Sequence, residues 1–109
     1  EGILVHNTCR QGALSEAKKY HDIADDAIPD SVELIDDFES VNGKPYKARL
    51  YRYGDRWIRD DFGGHRFLDK ITKTYSKVPR HFNVGYRQID SITGQLVDKQ
   101  IRGIHFFYS

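Results

Sequence analysis

Arg49-Leu50-Tyr51-Arg52-Tyr53-Gly54-Asp55-Arg56-Trp57-Ile58-Arg59 decides the class of fold. Two runs rich in aromatic and branched residues flank Gly54-Asp55, and that pair suits a two-residue hairpin turn. The chain is therefore β-rich around its middle. Further on, Pro79 opens a second clear strand, His81 to Ile89. Phe82, Val84 and Tyr86 alternate on one face; His81, Asn83 and Arg87 fall on the other. Ser91 to Gln95 reads as a turn, and Leu96 to Tyr108 as a last strand or strand pair. Gly103 suits a bulge there. Such a bulge lets Ile101, Ile104 and Phe106 all face the core and turns His105 outward. Asp61 to His65 reads as a loop, and the polar stretch to Lys77 has no clear period.

Upstream the period changes. Leu14, Ala17, His21, Ala24 and Ile28 recur every three to four residues, which predicts a helix over residues 11–28, ended by Pro29. Asp30-Ser31 suits a cap for a second short helix, 31–39, with Leu34, Ile35 and Phe38 inward. Residues 41–45 have loop chemistry. Helices first and then an antiparallel sheet of four or five strands is an α+β domain. A chain of 109 residues, 39% hydrophobic, has material for one core only.

The net charge of +1 hides a division. Residues 1–40 hold ten acids against three bases, a net of −7; residues 41–109 hold fourteen bases against six acids, a net of +8. A basic segment of this kind suits an anionic partner such as RNA. Other classes are excluded. No apolar run approaches the ~18 residues of a membrane span, and Gly2 to Val5 is too short for a signal peptide. Cys9 is the only cysteine, so there is no internal disulfide and no cysteine-pair zinc site. Neither a phosphate loop nor a dinucleotide-binding glycine motif occurs.

Glu1-Gly2-Ile3-Leu4-Val5-His6-Asn7-Thr8-Cys9 is the most specific string. The Asn7 side chain can attack its own carbonyl to form a succinimide, with His6 polarising that carbonyl. Leu4-Val5-His6-Asn7-x-Cys9 resembles the tail of the intein-like Hint modules that precede toxin domains in bacterial polymorphic toxins of the Rhs, YD-repeat and contact-dependent kinds. The resemblance divides the chain into the tail of a pretoxin cleavage motif, residues 1–8, and a C-terminal toxin domain, residues 9–109. Thr8, not Cys, follows Asn7, which points to cleavage and away from splicing. The resemblance also implies delivery by a secreted or cell-surface protein, action in the cytoplasm of a target bacterium, and a cognate immunity protein. Charge complementarity makes that partner acidic.

The candidate chemistry lies in the basic segment, at His65, His81 and His105. Metal-independent RNA cleavage needs a base for the 2′-hydroxyl proton, an acid for the leaving 5′-oxygen and a cation for the phosphorane; it yields a 2′,3′-cyclic phosphate. Histidines titrate in the right range. His81 and His65 are the expected pair, with His105 a third candidate and with Arg80, Arg66 or Lys70 at the phosphate. RNA contacts are expected from Arg52, Arg56, Arg59, Arg66 and Arg87, with Trp57 and Tyr86 as stacking rings. His21 reads as structural, and Asp60-Asp61 as neutralising nearby arginines. No cofactor or metal is called for. In layout the chain resembles the barnase, EndoU, colicin and RelE ribonuclease superfamily, but it has no Glu after Glu39 to match a glutamate base. An endoribonuclease acting on tRNA or other cellular RNA is the leading expectation. The alternatives are an NAD-using toxin (ADP-ribosyltransferase or glycohydrolase) and a non-catalytic nucleic-acid-binding module.

Overall fold

The computed structural model describes residues 9–39 and 43–109, with the backbone alone described at residues 65 and 67. One helix, α1 (Arg10–Tyr20), precedes seven strands: β1 (Ser31–Phe38), β2 (Pro45–Tyr53), β3 (Arg56–Asp61), β4 (His65–Asp69), β5 (Thr74–Val78), β6 (His81–Ile89) and β7 (Leu96–Phe107). Five strands form one antiparallel sheet in the order β1-β2-β3-β6-β7, and β4 and β5 pair as a separate hairpin.

The expectation of an α+β chain with N-terminal helices ahead of a curved sheet is corrected by this architecture. The described residues are mostly β, with a single helix. The predicted helix over 31–39 is strand β1. Its acids meet bases on β2 and β3: Asp36 pairs with Lys47, Glu33 with Arg52 and Asp37 with Arg59. Local spacing of Leu34, Ile35 and Phe38 carries no information about those distant partners, and they decide the outcome. The predicted helix over 11–28 ends at Tyr20. Asp22 takes a positive φ of 58°, which breaks the helical path. Buried Lys18 then gathers the following loop, donating Nζ to the carbonyls of Asp25 and Ala27 at 2.8 and 3.2 Å. Ile28 is 86% exposed, so the apolar spacing past His21 marks no buried stripe. The aperiodic stretch before Lys77 supplies β4 and β5.

The core lies between α1 and the sheet. Ala13 and Ala17 of α1 pack with Ile58, Phe82, Val84 and Tyr108. Two alanines let the helix approach the sheet closely. Arg10 fastens its first turn by donating to Asp60 and to the Tyr51 hydroxyl, while Tyr108 donates to Asp60 from the other side. Asp60 is thus fully buried yet paired, as an interior carboxylate must be.

β7 is broken by a large bulge. Asn83 pairs with His105 and Gly85 with Gln100, so two steps along β6 correspond to five along β7. Gly103 sits in the extra segment with φ 79°, a conformation that favours glycine. Ile101, Ile104 and Phe106 pack against the core, and His105 lies on the opposite face beside Asn83.

The charge division also acquires an internal meaning. Much of the basic segment is bound to carboxylates of the acidic one or of its own, including Arg66 to Glu39, and Arg52 and Arg87 to Asp98. No helix among the described residues is long and apolar enough to cross a membrane.

Candidate functional site

The sheet face turned away from α1 carries a polar layer. Strand register assembles it. Asp61 lies opposite His81, Arg59 opposite Asn83, and Asn83 opposite His105. Cross-strand partners share a face, so residues far apart in sequence become neighbours.

Asp61 is the hub, fully buried. It accepts from Arg59 Nε at 2.9 Å and Asn83 Nδ2 at 2.8 Å, and lies 3.2 Å from His81 Nε2. Burial alone would push its carboxyl up, but the His81 hydrogen bond and the Arg59 guanidinium hold it below the ordinary value. His81 is 1% exposed, and its Nδ1 lies 2.7 Å from the Pro79 carbonyl. Both ring nitrogens therefore face oxygens that only accept.

Asn83 passes this order outward. Because Nδ2 donates to Asp61, Oδ1 must face the other way, where it receives His105 Nδ1 at 2.7 Å and Gln100 Nε2 at 3.1 Å. The bulge makes this convergence. In an unbroken strand, residues 100 and 105 would point to opposite faces. A neutral His105 ring that donates from Nδ1 carries its lone pair on Nε2. Unlike His81, the His105 ring is exposed.

His105 lines an open cleft of about 260 Å³, with Asn83, Gln100, Arg59, Tyr46 and Asp37 among its walls. Arg59 bridges Asp61 and Asp37, at 3.2 Å from the latter. Tyr46 donates its hydroxyl to Asp37. Burial, with Asp61 and Asp37 nearby, pushes that phenol well above its ordinary value, so it serves as a donor at neutral pH. The cleft thus offers an exposed imidazole, a guanidinium and a phenol within a rigid hydrogen-bonded frame. Among the described residues, no cluster of three or more His, Cys, Asp or Glu is arranged to hold a metal ion.

The structure distributes the predicted site residues unevenly. His81, His105 and Arg59 come together. His81 is buried with both ring nitrogens engaged, which does not suit the expected direct proton transfer with substrate. Trp57 is not a stacking platform: it is 4% exposed and donates Nε1 to the Tyr86 carbonyl. Arg52 is held by Glu33 and Asp98, and Arg87 by Asp98. Arg56 donates to the His21 carbonyl, away from the cleft. Tyr86 is 38% exposed and lines a different hollow with Arg56. Lys70 lies in the turn of the β4–β5 hairpin, at the opposite end from the His65–Val78 pair. Arg66 pairs with Glu39. Arg80 is exposed immediately before β6. The His65 backbone begins β4 directly after Gly64. His6 and Asn7, the cleavage motif, lie outside the described residues. Asp60 and Asp61 neutralise arginines on opposite faces, Arg10 on one and Arg59 on the other.

Asp37, Asn83 and Gln100 were not candidate site residues from the sequence, and Asp61 was read only as neutralising nearby arginines. The alternation of β6 already puts Asn83 beside His81, and that was the one available signal. Gln100 had none, because its approach depends on the bulge. Comparison with protein-family models, curated proteins and solved structures finds no match for this chain.

Proposed function

We propose that the protein is a metal-independent endoribonuclease acting on tRNA or other cellular RNA. The observation that carries this reading is the exposed His105 ring, oriented through Nδ1 by Asn83 and set beside Arg59 in an open cleft. His105 Nε2 takes the proton of a ribose 2′-hydroxyl as its oxygen attacks phosphorus. The bond from phosphorus to the 5′-oxygen breaks, and that oxygen leaves with a proton. The products are a 2′,3′-cyclic phosphate and a 5′-hydroxyl. Arg59 has N–H groups beyond those bound to its two carboxylates, and they stabilise charge gathering on the phosphorane. His65 remains the second proton-transfer group of the reading. His81 acts through Asp61 and positions the rest.

Purified protein incubated with total RNA and EDTA tests the reading. Cleavage that leaves cyclic phosphate ends, and that is lost in His105→Ala, supports it. RNA left intact with and without added metal, or a His105→Ala protein that cuts normally, overturns it.

From the resemblance of the string ending at Cys9 to a pretoxin cleavage motif, we infer that this activity belongs to a bacterial polymorphic toxin delivered into a target cell, with an acidic immunity protein covering the cleft. Co-expression with the neighbouring reading frame, followed by co-purification, tests that partnership.

A further inference from the structure

The cleft does not end at Tyr46. That ring also walls a second hollow of about 280 Å³, shared with Arg66, Gly63 and Lys77. Gly63 and Lys77 in turn wall a third, about 430 Å³, which reaches Arg80 and Ser109. Shared wall residues set the three hollows in series, a trough of three basins: Tyr46 stands between the first and second, and Gly63 and Lys77 between the second and third.

The charge on this trough differs from that on the strands. Arg52, Arg59 and Arg87 are committed to carboxylates. Lys77 and Arg80 are exposed and bond no carboxylate among the described residues. They are therefore available to a ligand's anionic groups without first breaking an ion pair. The floor is fixed: Gly64 donates to the Asp61 carbonyl at 3.1 Å, and a β-carbon on it would run into the backbone of Val78 to Arg80. Gly63 differs from its neighbour. A side chain there would meet nothing within 4 Å, so packing does not demand glycine. Gly63 lines both the second and the third hollow, so a large side chain there would project between them.

We propose that this trough is a binding track for single-stranded RNA, with successive phosphates held at Lys77 and Arg80 and a base resting against Tyr46. The proposal rests on the ribonuclease reading and extends it by naming the substrate's form. A single strand can turn its bases out onto a ring, whereas a duplex keeps them stacked inside. Two concavities in series beyond the His105 cleft fit a flexible chain threading past the reacting bond.

The test measures binding apart from cleavage. A fluorescent 2′-O-methyl oligonucleotide of about eight nucleotides lacks the attacking hydroxyl and stays intact. Its affinity is followed by anisotropy across a salt series, for wild type, Lys77→Ala, Arg80→Ala, the double variant, Gly63→Leu and, as a control, Arg102→Ala, an exposed arginine of β7 that lines none of the three hollows. The track predicts that the double variant binds about tenfold or more weakly. It also predicts that the salt slope falls by about 0.7 for each phosphate contact removed. Gly63→Leu should weaken binding with no loss of charge, Arg102→Ala should resemble wild type, and a matched duplex should bind poorly. The proposal is overturned if Arg102→Ala weakens binding as much as Lys77→Ala, if Gly63→Leu binds normally, or if the duplex binds as tightly. The two readings fail separately. Track-dependent binding without any cleavage of natural RNA removes the ribonuclease and keeps the track. His105-dependent cleavage with binding insensitive to Lys77, Arg80 and Gly63 does the reverse.

Discussion

His105 Nδ1 lies 2.7 Å from Asn83 Oδ1, and Asn83 is itself turned by the bond from its Nδ2 to Asp61. The asparagine thus translates the position of a buried carboxylate into the tautomer of an exposed imidazole. A base held in a single orientation reacts faster than one that rotates, and misplacement by about 1 Å can cost about 10²-fold.

Asn83 is accordingly a positioning residue. His105→Ala should lower kcat for RNA cleavage by about 10²–10⁴-fold. Asn83→Ala should lower kcat by about 10²-fold and leave KM little changed. Asn83→Asp is the informative variant. It puts a carboxylate beside the ring, which favours the imidazolium. The acidic limb of the pH–rate profile should then move to higher pH. A profile with an unchanged limb would make Asn83 a packing residue only.

Asp61 is held by Arg59, Asn83 and the His81 ring, and its removal leaves buried polar groups short of a partner. Asp61→Ala should destabilise by about 3–5 kcal/mol, the range for breaking a buried pair from one side, read from urea denaturation. Its acid dependence follows from the direction of its shift. The folded carboxyl titrates below the ordinary 3.8. The stability it contributes is therefore complete above that value and lost as pH falls through the folded one. Asp98, held down first by its Arg52 hydrogen bonds, adds to the same window. The urea midpoint should drop as pH falls below about 4, and by less in Asp61→Asn. An equal drop in both proteins would show that Asp61 is not responsible.

The readable parts of the fold were those with local causes. Gly54-Asp55 turns the chain between β2 and β3 through its own conformational preference, and β6 shows its faces by alternation. Gly103 pointed to the bulge because few residues other than glycine tolerate its φ. The unreadable parts depend on partners far away. Strand β1 owes its state to Lys47, Arg52 and Arg59, and α1 stops where Asp22 and the grip of Lys18 on the next loop turn it aside. The site divides the same way. Histidines announce themselves by chemistry, so His81 and His105 stood as candidates, but which of the two is exposed depends on packing. Asp61 and Asn83 look ordinary until strand register sets them side by side. The surplus of bases after residue 40 was plain; that β1 would pair with three of them was not.

Gly85 lies opposite Trp57 across β3 and β6. Any β-carbon there would overlap the indole ring and the Lys99 carbonyl. The indole is 4% exposed and tied to the Tyr86 carbonyl, so it has little room to move. Gly85→Ala should cost about 1–3 kcal/mol or more, the range for overpacking a filled core. Gly63→Ala, whose added methyl meets open space, should stay within about 0.5 kcal/mol of wild type. Paired thermal melts decide it, and equal stabilities would mean that the Trp57 ring can yield.

His21 should make the protein less stable in mild acid. The ring is buried, with Nε2 3.2 Å from the Trp57 carbonyl. Burial is the chief influence and disfavours the charged form. The Trp57 carbonyl opposes it, nearby Arg56 reinforces it, and the net direction is down from 6.5. An unfolded chain therefore takes up a proton near pH 6.5 that the folded chain still refuses. The contribution of neutral His21 is complete above that pH and is lost as pH falls through 6.5 towards the lower folded value. Asp55 acts in the opposite sense to Arg56, so Asp55→Asn should push the folded value lower still and steepen the decline. Denaturation midpoints measured from about pH 7.5 to pH 5 should fall steadily in wild type and more gently in His21→Gln, which keeps a donor for the Trp57 carbonyl but cannot titrate. If His21→Gln declines as steeply as wild type, the mild-acid sensitivity belongs to another group.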